Sequence, residues 1–148
     1  MKTPIILLFI LTLLTSCNNA KEQESIDIQG TWRLISAETT EKDSTFSTFN
    51  TKSKMIKIIN DNHFAFFNHD LNNGKKADSL FFGGGGKYTL KDSTYTEHLE
   101  FFNLRNWENN KFTFVIKVSN DTLTQKGGEK VEKLGVNRII IEKYIRVK

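Results

Sequence analysis

Along most of this chain after Gly30, apolar residues alternate with polar ones, and this period of two constrains the fold more than any other feature. In Lys111–Val118 (KFTFVIKV) every second residue is apolar. Successive side chains of a strand point to opposite faces, so the pattern predicts a strand with one buried face. The same period recurs in Thr94–Phe102 and in Arg138–Val147. Half-buried strands of this kind favour an all-β fold.

Shorter runs predict further strands, separated by turn-forming Asn, Asp and Gly residues. These runs are Thr31–Ala37, Lys54–Ile59, His63–Phe67, Ser79–Phe82, Gly86–Leu90 and Asp121–Gln125. The one proline of the chain, Pro4, precedes them all, which suits an antiparallel sheet because its ladders use the backbone N–H groups. We therefore predict an antiparallel up-and-down barrel of about eight to nine strands, filled by side chains or holding one small ligand.

The first residues predict export and lipid attachment. A charged start precedes an almost wholly apolar segment, Ile5–Leu14, which is too short for a bilayer span of about 20 residues. The following tetrad LTSC, ending at Cys17, resembles the lipobox of bacterial lipoproteins, whose cysteine is lipidated. The alternative is an ordinary signal peptide with a chance cysteine. We expect a signal peptide at residues 1–16, a lipidated flexible tether at 17–28 and a barrel domain at 29–148.

The residue after the cysteine and the charge pattern bear on location and partners. An aspartate after the cysteine resembles an inner-membrane retention signal, whereas this chain has Asn18. The resemblance therefore favours the outer membrane of a Gram-negative bacterium, facing the periplasm or the cell surface. The net charge of +4 comes from interspersed basic and acidic residues, so nucleic acid is not an expected partner. The expected partners are the membrane through the N-terminal lipid, a small apolar ligand, and an envelope protein.

The glycine run in FFGGGGKYT (Phe81–Thr89) raises the question of a phosphate-binding loop. A Walker loop needs Gly-Lys followed at once by Ser or Thr and then a helix. Here Lys87 is followed by Tyr88 and by a hairpin pattern. Glycines inside a strand pattern instead mark a bulge, a bend or a close backbone approach. We predict that they allow the curvature of a small barrel; the alternative is a glycine-lined portal.

Several segments taken in order resemble the bacterial lipocalin-like (calycin) domain lipoproteins. They are GTWRLIS (30–36), GGKYTLKDSTYTEHLEF (85–101), NDTLTQKG (120–127) and IIIEKYIRV (139–147). The resemblance implies a lipocalin-like barrel and an envelope location more than an activity. It also implies that Arg146 packs on the indole of Trp32 and closes one end of the barrel. Such a cation–π contact contributes roughly 0.5–2 kcal/mol.

Glu97 is the main candidate for chemistry. Alternation places it on one face with Tyr95, Leu99 and Phe101, which is the inward face if that face forms the core. A buried carboxylate must be paired, protonated or in contact with a polar ligand. Lys143 shares the parity of Ile139, Ile141 and Ile145, so we expect Glu97 and Lys143 to meet as an ion pair or as two poles of a ligand site.

The sequence also allows the opposite orientation of the last strand, in which Glu142, Tyr144 and Arg146 point inward. The expected ligand site comprises Glu97, Lys143, Tyr95, Phe101, Tyr88, Phe66 and Tyr144. The histidines show no metal-ligand spacing and the chain has a single cysteine, so no metal or cofactor is expected. The main functional expectation is non-enzymatic binding of a small, partly apolar ligand. The alternatives are a protein-interaction module with a side-chain-filled barrel, and an enzyme that uses Glu97 as a general base.

Overall fold

The strands form one antiparallel sheet that closes on itself in the computed structural model, which describes residues 26–75 and 79–148. They are β1 (Gly30–Glu41), β2 (Ser44–Ser47), β3 (Ser53–Ile59), β4 (His63–Asp70), β5 (Phe81–Lys91), β6 (Thr94–Phe102), β7 (Asn110–Ser119), β8 (Thr122–Val131) and β9 (Val136–Arg146). Short 3₁₀ helices connect β6 to β7 (Arg105–Trp107) and β8 to β9 (Glu132–Leu134).

The barrel closes where β1 pairs with β9. Within the described residues, eight strands form the ring, namely β1 and β3 to β9. The predicted all-β up-and-down barrel is therefore confirmed. The additional strand β2 pairs with the second half of β1. It was not predicted, because all of its side chains are exposed and it lacks the alternation that marks a half-buried strand.

The glycine run lies inside one continuous strand, β5, and not between two strands. The prediction of separate strands at Ser79–Phe82 and Gly86–Leu90 is therefore wrong. The pairing of β5 with β6 shifts register between Gly85 and Gly86. A Cβ atom on Gly86 would lie 2.8 Å from the Glu100 amide nitrogen, closer than packed atoms approach. The glycine thus permits a close backbone approach at a bulge, which is the mechanical role predicted for it.

The bulge changes which side chains of β6 point inward. Gly86 pairs with Leu99 and Gly85 with Phe101, so Glu100 is the extra residue of β6. Leu99 is buried, but Phe101 is 69% exposed and Phe102 packs against the core instead. The prediction that Phe101 faces inward is wrong, because one extra residue reverses the alternation beyond it.

Trp32 and Arg146 are in contact near one end of the barrel. These residues pair across the seam between β1 and β9, and the guanidinium carbon lies 4.2 Å from the indole ring centre. The buried indole N–H donates to the Ile28 carbonyl at 2.8 Å, and Arg146 donates to the Gln29 carbonyl. The contact implied by the resemblance is therefore present. Ile28 is buried, so the barrel core includes a residue of the segment predicted as tether.

The predicted signal peptide, the lipidation residue Cys17 and the tether up to residue 25 lie outside the described residues. In the part of the chain that the structure describes, no helix combines the length and the apolar character that crossing a bilayer requires.

Candidate functional site

The half of the barrel nearest Trp32 is packed with apolar side chains. They come from the strand ends that converge there and belong to one buried cluster. Members of this cluster are Ile59, Phe64, Tyr95, Ile116 and Leu123. The inward positions of the same strands therefore form a solid base, on which the other half of the interior rests.

The other half of the interior contains a cavity of about 320 Å³. Each strand of the closed ring contributes inward-facing residues to its wall. Most of the lining residues are apolar, and many of these are aromatic: Phe66, Phe82, Phe102, Trp107, Phe112, Phe114 and Tyr144. Ligand pockets typically measure about 300–1,000 Å³ and have mostly apolar walls, so the cavity has the size and character of a site for one small molecule.

A buried polar network forms the floor of the cavity. At its centre is Lys57, which is 2% exposed. Its ammonium donates to Glu97 Oε1 at 2.7 Å and to Gln125 Oε1 at 2.9 Å. It also lies 5.4 Å from the centre of the Tyr144 ring. Because charges removed from water are costly, this pair depends on close geometry and on additional hydrogen bonds.

Glu142 joins the network without a cationic partner. Its Oε2 accepts a hydrogen bond from Gln125 Nε2 at 2.8 Å and another from the Tyr144 hydroxyl at 2.6 Å. None of the ion pairs between described residues involves Glu142. Burial raises the pKa of Glu142, and the charge of Lys57 opposes that rise. Burial and the Glu142 carboxylate together raise the pKa of Tyr144.

The opposite end of the cavity is lined by a second ion pair. Arg138 binds Glu129 Oε2 through Nε at 2.7 Å and through a terminal nitrogen at 2.6 Å. The guanidinium carbon lies 5.6 Å from the ring centre of Trp107, which the 3₁₀ helix after β6 contributes. Arg138 and Glu129 are both partly exposed. This end of the cavity therefore faces solvent through a rim of charged and aromatic side chains.

Asn68 presents an unsatisfied polar atom in the cavity wall. The residue is 8% exposed, and its Oδ1 has no hydrogen-bond partner among the described residues. The Tyr95 hydroxyl also makes no hydrogen bond of normal geometry to the described residues, but burial and the nearby Glu97 carboxylate raise the pKa of Tyr95, which is not part of the wall. An unpaired buried polar group costs about 1–3 kcal/mol. Asn68 Oδ1 therefore offers an unpaired acceptor to any group that enters the cavity.

Comparison with known proteins assigns this barrel to a family. A family model described as a domain of unknown function (DUF4488) matches residues 27–148. The chain belongs to the DUF4488 family. The match begins beside Ile28 and spans all strands of the DUF4488 barrel. No curated protein and no solved structure matches the chain.

The DUF4488 barrel brings together some of the residues expected at the ligand site. Glu97, Phe66 and Tyr144 line the cavity. Tyr95 and Tyr88 pack on each other outside its lining, with ring centres 5.2 Å apart. Phe101 lies on the outer face for the reason given above.

Lys143 is exposed on the outer face of β9. The predicted pairing of Glu97 with Lys143 is therefore wrong, and Lys57 takes that place in the DUF4488 barrel. The inward parity of β9 is the one that the sequence left open, with Ile140, Glu142 and Tyr144 facing the interior. Among the described residues, no group of three or more His, Cys, Asp or Glu side chains is placed to hold a metal ion.

Sequence reasoning missed Lys57, Gln125 and Asn68. A signal for the first two exists, because each has the parity of a buried apolar neighbour: Lys57 shares that of Ile59, and Gln125 that of Leu123. A lysine and a glutamine on the apolar faces of two predicted strands indicate an internal polar network. Asn68 lies just beyond the strand predicted over His63–Phe67, so only the longer β4 of the DUF4488 barrel places it inside.

Proposed function

We propose that this DUF4488 protein is a lipid-anchored, lipocalin-like lipoprotein of the cell envelope that binds one small, partly apolar molecule inside its barrel. The observation that carries the proposal is the cavity of about 320 Å³ with aromatic walls and a polar floor. The LTSC tetrad ending at Cys17 supports the anchor, and the order of the resembling segments supports the lipocalin-like relationship.

The lining of the cavity matches the composition of a binding pocket. Pockets for small molecules combine apolar walls with a few placed polar groups that orient the ligand. Here the aromatic walls would bury an apolar body, while Asn68 Oδ1 offers an unpaired acceptor and Glu142 a carboxylate without an ion-pair partner among the described residues. A purely structural interior would instead fill this volume with side chains, since protein cores are close-packed.

The rival functions receive less support. A side-chain-filled barrel was the premise of the protein-interaction module, and the cavity does not fit that premise. The enzyme alternative relied on Glu97 as a general base with a raised pKa in a dry pocket. Glu97 is instead held in a buried ion pair with Lys57 at 2.7 Å, which engages one of its oxygens.

Filling the cavity tests the proposed function. Ala37 is buried and lines the cavity from β1, so Ala37→Phe should place a ring in the ligand volume. We expect native mass spectrometry of the full chain, extracted from its own envelope, to show a bound small molecule on the wild type. On Ala37→Phe we expect its occupancy to fall about tenfold or more, because the ligand and the new ring compete for one volume.

Val115→Phe is the matched control, because Val115 is 61% exposed on the outer face of β7. This variant should retain the small molecule as the wild type does. Equal retention by Ala37→Phe, or a wild type that carries no small molecule, would contradict the proposed function. Melting curves of both variants establish that each is folded.

A further inference from the structure

The charges that line the cavity do not cancel. The charged lining residues of the described barrel are Lys57 and Arg138, which are cationic, and Glu97, Glu129 and Glu142, which are acidic. Lys57 is paired with Glu97, and Arg138 is paired with Glu129. Both cations are therefore engaged, and Glu142 is the carboxyl group in excess. An anionic guest would meet this excess without a free cation to bind it.

The unmatched polar atoms of the wall are hydrogen-bond acceptors. Glu142 uses Oε2 for its bonds to Gln125 and Tyr144, while Oε1 accepts none from the described residues. Asn68 Oδ1, which β4 contributes to the same lining, is buried without a partner among the described residues. Acceptors that face one cavity are satisfied by a guest that carries donors. A protonated amine supplies both donors and the compensating charge.

The aromatic walls of the cavity favour a cationic ligand. The faces of aromatic rings attract ammonium groups, and cages of such rings recognise organic ammonium ligands. The barrel already holds one ammonium in this way, because Lys57 Nζ lies 5.4 Å from the Tyr144 ring centre and 5.9 Å from that of Phe64. Further rings, including Phe102 and Trp107, line the part of the cavity above it.

We propose that the ligand of this cavity is an organic cation, an ammonium group on an apolar body, with Glu142 as its counter-ion and Asn68 as a further acceptor. This inference rests on the proposed binding function and adds the class of ligand. The cavity should disfavour fatty-acid anions, because their carboxylate would be buried beside the side chains of Glu142 and Glu97.

Three probes with the same tail test the inference: n-octylamine, n-octanol and n-octanoate. Calorimetric titrations use the full chain in phospholipid nanodiscs, with empty nanodiscs subtracted to remove partitioning into lipid. We expect n-octylamine to bind about tenfold or more tightly than n-octanol, and n-octanoate to bind most weakly, since a charge-assisted hydrogen bond is stronger than a neutral one.

Glu142→Gln separates this assignment from simple burial of the tail. The amide can still accept from Gln125 and Tyr144, but it carries no charge. We expect it to weaken n-octylamine about tenfold or more while leaving n-octanol within about twofold. Glu38→Gln, an exposed change on β1, is the control and should alter neither. Asn68→Leu, which removes the orphan acceptor, should weaken n-octylamine and raise the melting temperature.

The pH dependence gives an independent readout. The ionisable groups around Glu142 in the lining are Lys57, Glu97, Glu129, Arg138 and Tyr144. Because burial raises the pKa of Glu142, the carboxylate is lost at a higher pH than for an exposed glutamate. Lowering the pH from neutral should therefore weaken n-octylamine binding before an exposed glutamate would be protonated, and Glu142→Gln should remove this dependence.

The outcomes separate the two proposals. If none of the three probes binds, the proposed function fails and the inference fails with it. If n-octanol or n-octanoate binds as tightly as n-octylamine, or if Glu142→Gln leaves n-octylamine unchanged, only the choice of an organic cation is overturned. The predicted order of affinities, together with its loss in Glu142→Gln, supports both.

Discussion

Replacing Lys57 by methionine should lower the free energy of unfolding by about 3–5 kcal/mol, because removing one partner leaves a buried carboxylate without compensation. Methionine preserves the length of the side chain but cannot donate to Glu97 or Gln125. Urea unfolding of the wild type and the variant measures the difference.

Two variants show whether the effect belongs to the buried pair. Lys54→Met changes an exposed lysine of the same strand and should alter stability by less than about 0.5 kcal/mol. The double variant Lys57→Met/Glu97→Gln removes both charges and should recover a large part of the loss. If Lys57→Met is as stable as Lys54→Met, the buried network does not exist as described.

Gly86→Ala should destabilise the barrel by about 3 kcal/mol, an effect at the upper end of those caused by overpacking. The added methyl group would lie on the His98 carbonyl oxygen and 2.8 Å from the Glu100 amide nitrogen. Both belong to the backbone of β6, which cannot move aside as a flexible side chain can. The urea midpoint of the purified variant measures the effect.

Gly128→Ala is the matched control in another strand. The nearest atom to a Cβ at Gly128 is the Arg138 carbonyl oxygen, 3.9 Å away, so the methyl group has room. This change should be neutral or should stabilise by about 0.4–1 kcal/mol through a less flexible unfolded chain. Equal effects of the two substitutions would mean that the close approach at Gly86 is not a constraint on the fold.

Strand-level features of the fold could be predicted because they are local. Alternation along Lys111–Val118 depends only on which face is buried, and β7 has that pattern. The bulge at Leu99–Phe101 could not be located, because it results from how the glycines of β5 meet β6 in three dimensions. The same limit explains the wrong orientation of Phe101. Strict alternation does not account for an extra residue in one of two paired strands.

Residues of the site could be predicted only where the pattern of a single strand identifies them. Glu97 stood out as a carboxylate on an apolar face, and it is indeed buried. Its partner could not be identified, because Lys57 is 40 residues away in sequence and Lys143 offered the same chemistry. The choice between them depends on the inward parity of β9, which is set by its pairing with β1 and β8. Sequence alternation alone is compatible with either parity.

The proposed ligand enters the barrel and rests on the polar floor. Nitrogen-15 NMR of the side-chain carboxamides during titration with n-octylamine tests this placement most directly. The resonances of Asn68, in the cavity wall, and Gln125, in the floor, should shift in a saturable manner. The carboxamide of Asn120, exposed at the turn between β7 and β8, should not move. Unchanged resonances of Asn68 and Gln125 at saturating probe would contradict the account.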